Sequence, residues 1–586
     1  MISTGAFQTE MDASNKQPTL ATKFAAVWEK KNAKAARAGG VSLMALSLAA
    51  CGSDDSTTTT STATTTTVAG VTPIASDLTN GSDNFTGTSG NDTITAGAVY
   101  TPGGNDRINS LQDEDVISGG AGDDTINITV TTANDNGNNI ITPTMTSVEN
   151  VNVSFSSSGA TDELDFQDVT GVVDLALTRI STDGTATVDN IQDVLTTLTL
   201  TNSGEDTDQV VISFDDDVLV GTADSLAATV SGVDVDSLEI DGEDGEGYET
   251  INMAATGDII SDDNLIDGTE TLNITGAGDA TLGGFSLSAG HLATIDASGS
   301  TGNMDIELGD DNIIEARVSG SSGADIDFTY TGSAGNDYIR VDDESLTSGP
   351  TGGDDVNGHD TIDGSAGDNT LDFTVNTTRD LVHNDVTISN IQDVHIDITA
   401  AVTADLDGQQ FGEVAGSADV DTITVRNNIA AAGIADFDLN DLDAGVLVRV
   451  QHSSADANDD VGDTDVYIHQ MDGSGTADTQ AVEIISGTNT SETFDFTLNI
   501  QANDADAADV DDAEVESITI TDSDTENNIV TLSSVAEHDG TVTLTGGRAD
   551  DTFSVNGSII ATTLNASGQL SDTTVTVGTA DQDITM

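Results

Sequence analysis

Lysine is absent from the 535 residues that follow Cys51, and the only side chains there that are always cationic are eight arginines, against 100 acidic residues. Six of the 14 basic residues are confined to the first 50 positions, as Lys16, Lys23, Lys30, Lys31, Lys34 and Arg37. A surface of one sign repels nucleic acid and anionic lipid, so neither is expected as a partner. Cys51 is the sole cysteine, which excludes an intramolecular disulfide and any cysteine-rich metal or redox site. Proline is nearly missing, with only Pro350 after Pro143, as uninterrupted strand ladders require. Aromatics make up 3% of the chain and the one tryptophan, Trp28, lies near the start. That scarcity argues against an aromatic platform for a carbohydrate. No histidine falls in H-E-x-x-H, and no G-x-S-x-G elbow occurs, so the chain is expected not to be an enzyme.

What is present is a register of aspartates. Asp83 and Asp92 are nine residues apart, and Asp106, Asp115 and Asp124 keep the same spacing after an insertion within AGAVYTPGG. A large apolar residue follows each aspartate by two: Phe85, Ile94, Ile108, Ile117 and Ile126. Glycines precede them, as in GTSGNDTIT (Gly87 to Thr95), Gly103-Gly104-Asn105-Asp106, and GGAGDDTIN with Gly119, Gly120, Gly122 and Asp124. Glycine admits the positive-φ backbone of a tight turn and lets carbonyls come close. The aspartate supplies a hard oxygen, and the apolar residue points inward from a short strand. A second cluster is GSAGNDYIR with Asp337, then HDTIDGSAGDNTLDF, which keeps the period from Asp360 to Asn369. GGRADDTFSV (Gly546 to Val555) is a lone third copy.

These repeats resemble those of the RTX family of secreted calcium-binding proteins, which includes surface-layer proteins and adhesins. The resemblance implies a parallel β-roll that binds Ca2+ between turns on the same side, eighteen residues apart. Asp106 and Asp124 are the one pair with that spacing, so Gly103, Gly104 and Asp106 stacked on Gly119 to Asp124 form the best candidate site. Asp83, Asp92, Asp115, Asp337 and Asp360 are the further candidate ligands.

Elsewhere the chain alternates Val, Ile and Thr at period two. The runs VENVNVSF, LTTLTLTN, QVVISF, TETLNIT, QDVHIDIT, ESITIT and GTVTLTG each end in Gly, Asp, Asn, Ser or Thr or beside one of them. A loose motif recurs in Val148-Glu149-Asn150-Val151 and Val515-Glu516-Ser517-Ile518, and NIQDV occurs at both 190–194 and 390–394. The expected fold is all-β, built of parallel β-roll or β-solenoid repeats, with β-sandwich modules as the competing architecture. His395 is read as a strand surface residue, Asp456 to Asp460 as a weak EF-hand-like stretch, and GEDGEGYE (Gly242 to Glu249) as an acidic loop.

The N-terminal region reads as an address. A basic stretch (30–37) and a short apolar run (Gly39 to Ala50) lead to Leu48-Ala49-Ala50-Cys51, similar to a bacterial lipobox with Cys51 as the acylated residue. The expected organisation is a leader over 1–50, a Ser/Thr-rich tether over 51–76, and a calcium β-roll over 77–131. Solenoid-like repeats over 132–330, a second RTX-like segment over 331–375 and β-rich repeats over 376–586 complete it. The functional expectation is a calcium-ordered structural protein of the cell surface or extracellular matrix, S-layer-like and self-assembling, touching membrane only through a lipid anchor. A calcium-stabilised adhesin is the alternative, with a cell-surface polysaccharide or a neighbouring cell as its partner.

Overall fold

Alternation of one apolar and one polar residue commits each short segment to a strand with one face for burial. In Asn150–Phe155 the side chains of Val151, Val153 and Phe155 are buried while Asn150, Asn152 and Ser154 face outward. Gln209–Phe214 repeats the pattern with Val210, Ile212 and Phe214 inside. The computed structural model describes residues 72–585 with interruptions, the longest at 309–327, 343–360, 409–419, 453–463 and 503–514. The leader, Cys51 and the tether as far as residue 71, the Gly103-Gly104-Asp106 turn, Asp360 and the EF-hand-like stretch lie outside the described residues.

Among the described residues there is no helix, and the strands stack into long parallel ladders. One is a 13-stranded sheet running from Ala75–Asp77 to Thr387–Ser389. A second ladder runs from Ile140–Ile141 to Asp583–Thr585 and forks once, where Ile259–Leu265 meets both Ala280–Leu282 and Phe285–Ser286. A 4-stranded sheet (Asn84–Thr86 to Val169–Thr170) accompanies the first coils. An 8-stranded sheet starts at Arg379–Asp380 and accompanies the last. The chain is therefore a parallel β-solenoid. Within the described residues the one antiparallel pairing is the hairpin Ala98–Tyr100 with Arg107–Asn109, so no β-sandwich is found there.

Parallel stacking in register places like residues on like. Ile94, Ile126, Val151, Leu175, Leu198, Ala228, Met253 and Ile274 form one inward column across successive coils. All of them are buried, and each fully buried Leu, Ile or Val contributes about 2 kcal/mol of hydrophobic stabilisation. Outward, Thr250, Thr271, Thr294, Thr329, Thr361 and Thr387 form a column of threonines one above another. A β-branched residue that tolerates water suits that face. The corners absorb differences in coil length. The sequence distance from one coil to the next is 18 residues between Ile74 and Asp92, 21 between Asn252 and Asn273, and 33 between Asp305 and Tyr338.

Corner residues explain the recurring motifs. The asparagine of NIQDV takes a left-handed conformation in both copies, with φ of 54° at Asn190 and 57° at Asn390. Each then donates its amide to an aspartate of the preceding coil, Asn190 to Asp165 at 3.0 Å and Asn390 to Asp363 at 2.6 Å. Asparagine is among the few side chains that enter this region readily. The expected acidic loop Gly242 to Glu249 differs from expectation at Tyr248. That ring is buried against Phe214, with centroids 5.4 Å apart, and its hydroxyl donates to Leu195 O and accepts from Leu195 N.

Candidate metal centre

The glycine–aspartate turns stack because their leading residue has no side chain. A Cβ on Gly87 would lie 1.9 Å from Gly119 O, and one on Gly119 would lie 1.8 Å from Ser147 O. Successive coils thus touch backbone to backbone at this corner. Gly120 and Gly122 adopt φ of 109° and 139°, open to glycine and strained for other residues.

The aspartates then join coil to coil. Asp92 accepts from Ile74 N and Thr88 N, both at 2.5 Å. Its own N–H donates to Asp124 Oδ1 at 2.7 Å, and the N–H of Asp124 donates to Glu149 Oε2 at 2.8 Å. A parallel chain of bonds joins Asp83, which accepts from Thr79 N, to Asp115, whose Oδ1 accepts the Asp83 N–H at 2.7 Å. Asp92, Asp115 and Asp124 are buried. The N–H groups of Ile74 and Thr88 hold the Asp92 carboxyl below the usual carboxylate range, whereas burial pushes Asp115 up.

The partners differ from those the spacing suggests. Asp124 stacks on Asp92, and Asp115 on Asp83, each pair 32 residues apart. The eighteen-residue partner expected for Asp124, Asp106, lies outside the described residues. The physical reason is the antiparallel hairpin Ala98–Tyr100/Arg107–Asn109, which spends the intervening residues on an outgrowth before the chain resumes its coil.

In the second segment Asp337 is also buried. It accepts from Met304 N at 3.0 Å and from Ser333 N and Ser333 Oγ at 2.7 Å, while burial raises its pKa. Its N–H donates to Asn369 Oδ1 at 2.9 Å, and the N–H of Asn369 donates to Gln392 Oε1 at 2.8 Å. Glu149 and Gln392 therefore end the two spines, and sequence reasoning did not single out either as a site residue. The signal was present: both belong to the recurring motifs. Elsewhere Glu249 accepts from Asp224 N, and Glu516 from Asp478 N.

Among the described residues no three His, Cys, Asp or Glu side chains converge on one point. A cation at this corner would therefore draw on backbone carbonyls as well as carboxylates, a donor set that suits a hard ion taking about six to eight oxygens. Asp124 has one carboxylate oxygen left over at this corner. Its Oδ2 is buried with no hydrogen-bond partner, and it faces Gly119 together with Ser147 O.

His395 lies on the outer face of its strand, as expected, within a charged cluster. Arg426 pairs with Asp372 at 2.9 Å and with Asp397, Tyr338 donates its hydroxyl to Asp372, and His395 Nδ1 stands 3.7 Å from Asp372. Burial lifts Asp397 to about 6. Every cation in this cluster is matched by a carboxylate, which describes a sheet-surface network joining coils. Fold and corner chemistry together define a parallel β-solenoid with a glycine–aspartate spine. No protein-family model matches the chain, and no curated protein matches it.

Proposed function

We propose that the chain is a calcium-binding structural protein of the cell surface or extracellular matrix, S-layer-like, whose folding and self-assembly depend on Ca2+. The observation that carries this reading is the buried Asp124 Oδ2, which faces a carbonyl oxygen and has no donor. A buried carboxylate oxygen in that setting is costly until positive charge neutralises it. Asp92 belongs to the same corner and adds to its negative potential, whereas Asp83 and Asp115 pair at the other turn of these coils. Binding a cation to the folded chain alone stabilises it by about 2.7 kcal/mol at 100 times the Kd. Cys51 would carry the lipid that holds the molecule at the surface, and copies of the chain itself would be the main partner.

The test is a calcium titration of the full chain, followed by circular dichroism and light scattering together, with magnesium as control. Gain of β signal with rising scattering is the expected result. Folding without scattering would favour an adhesin that binds a glycan or neighbouring cell. Indifference of both signals to calcium would remove the metal from the account.

A further inference from the structure

The two spines contain the same corner with one residue exchanged. Gly119 and Gly364 open the two turns. A Cβ on Gly119 would meet Ser147 O at 1.8 Å and Asp124 Oδ2 at 2.5 Å; one on Gly364 would meet Asn390 O at 2.4 Å and Asn369 Nδ2 at 2.6 Å. Asp124 and Asn369 are both 0% exposed. These two turns also share a backbone feature that sets them apart from the turns below them. The residue after the leading glycine has positive φ, 109° at Gly120 and 62° at Ser365. In the turns of Asp92 and Asp337 the corresponding N–H groups, of Thr88 and Ser333, donate to the carboxylate. At Ser365 the N–H turns to Asp363 Oδ1 instead.

The inner side chain at such a corner must therefore find its complement elsewhere. Asn369 provides its own: Nδ2 donates to Gly364 O at 2.8 Å and to Asn390 O at 2.9 Å. The orientation of the amide follows from chemistry, since its oxygen in that place would face two acceptors. The Asp124 side chain has no N–H to give, and its Oδ2 has no hydrogen-bond partner.

We propose that the Asn369 amide does internally what a divalent cation does beside Asp124, so that the Asp124 coil is gated by the cation and the Asn369 coil is not. The first half rests on the calcium reading above; the second stands on the geometry of Asn369. The exchange is reversible in principle by Asp124→Asn and Asn369→Asp.

Hydrogen–deuterium exchange on the full chain, with calcium against magnesium, reads each coil separately. In the wild type, calcium at about ten times its Kd should slow exchange in Thr125–Val130 about tenfold and leave Thr370–Val375 unchanged. Asn369→Asp should speed exchange in Thr370–Val375 without calcium and recover it with calcium. Asp124→Asn should keep Thr125–Val130 protected in both conditions, and it is the variant expected to fold without any cation. A calcium response in the wild type with none gained by Asn369→Asp would overturn this proposal and leave the calcium reading intact. An indifferent wild type would overturn the calcium reading and with it the cation gating of the Asp124 coil, and a calcium response in Asn369→Asp would then uphold only the Asn369 half. Loss of protection at Thr125–Val130 in Asp124→Asn would also overturn it.

Discussion

At the level of single residues, burial and charge conflict most openly at Asp162. It occupies an inward position of Thr161–Asp165 in register with Ala186, is 1% exposed, and has no hydrogen-bond partner at either oxygen. Burial raises its pKa to about 6, above the value of about 3.9 expected in the unfolded chain. The folded state then holds the proton more tightly, so at this residue stability falls as pH rises from about 4 to about 6 and is level outside that window. We predict that Asp162→Val raises stability at neutral pH by about 2 kcal/mol and that the gain vanishes below about pH 4. Urea unfolding at the two pH values measures it. Asp92 works in the opposite sense. Its lowered pKa gives stability at neutral pH that is lost on acidification, so the two residues bracket a maximum. The corner glycines make a sharper prediction. Gly119→Ala sets a Cβ 1.8 Å from a carbonyl oxygen, whereas one on Gly81 has nothing within 4 Å. Gly119→Ala should cost about 3 kcal/mol or more, and Gly81→Ala should leave the unfolding midpoint in place.

The strands themselves are largely legible in the sequence alone. Each quoted period-two run carries a strand, among them Asn150–Phe155, Gln209–Phe214, Asp393–Ile398 and Thr541–Gly546. Alternation is a local property, so a local reading finds it. Stacking register is not local. It depends on how many residues each corner consumes: the break in the nine-residue spacing marks an insertion within AGAVYTPGG, but not that it forms a hairpin or that Asp92 is thereby paired with Asp124. Likewise GEDGEGYE is polar enough to read as a loop, yet Tyr248 closes the core beside Phe214. Its hydroxyl satisfies both backbone groups of Leu195, so Tyr248→Phe should cost about 1–3 kcal/mol by leaving them unpaired. Thermal unfolding of the variant checks this. The ion pairs on the outer sheet face are also an element-level device. Arg426 joins Asp372 of one coil to Asp397 of the next. Replacing Arg426 by Met should cost about 1–3 kcal/mol, less than a fully buried pair because the side chains keep some exposure.

For the molecule as a whole, eight arginines against 100 acidic residues beyond Cys51 mean that self-repulsion opposes the compact state. Sodium chloride should therefore raise the unfolding midpoint by screening alone. A specific calcium effect would remain as an excess over magnesium at matched ionic strength. The ladders have one more consequence. Hydrogen bonds in a parallel sheet run from strand to strand, hence along the direction in which the coils are stacked, and each coil binds only its neighbours. Tension applied from one end of the stack to the other loads those bonds in series, so the weakest coil yields first and its neighbours keep their shape. Such a stack lengthens in steps instead of snapping. Under flow, an anchored chain of this kind would act as a shock absorber whose stiffness is set corner by corner.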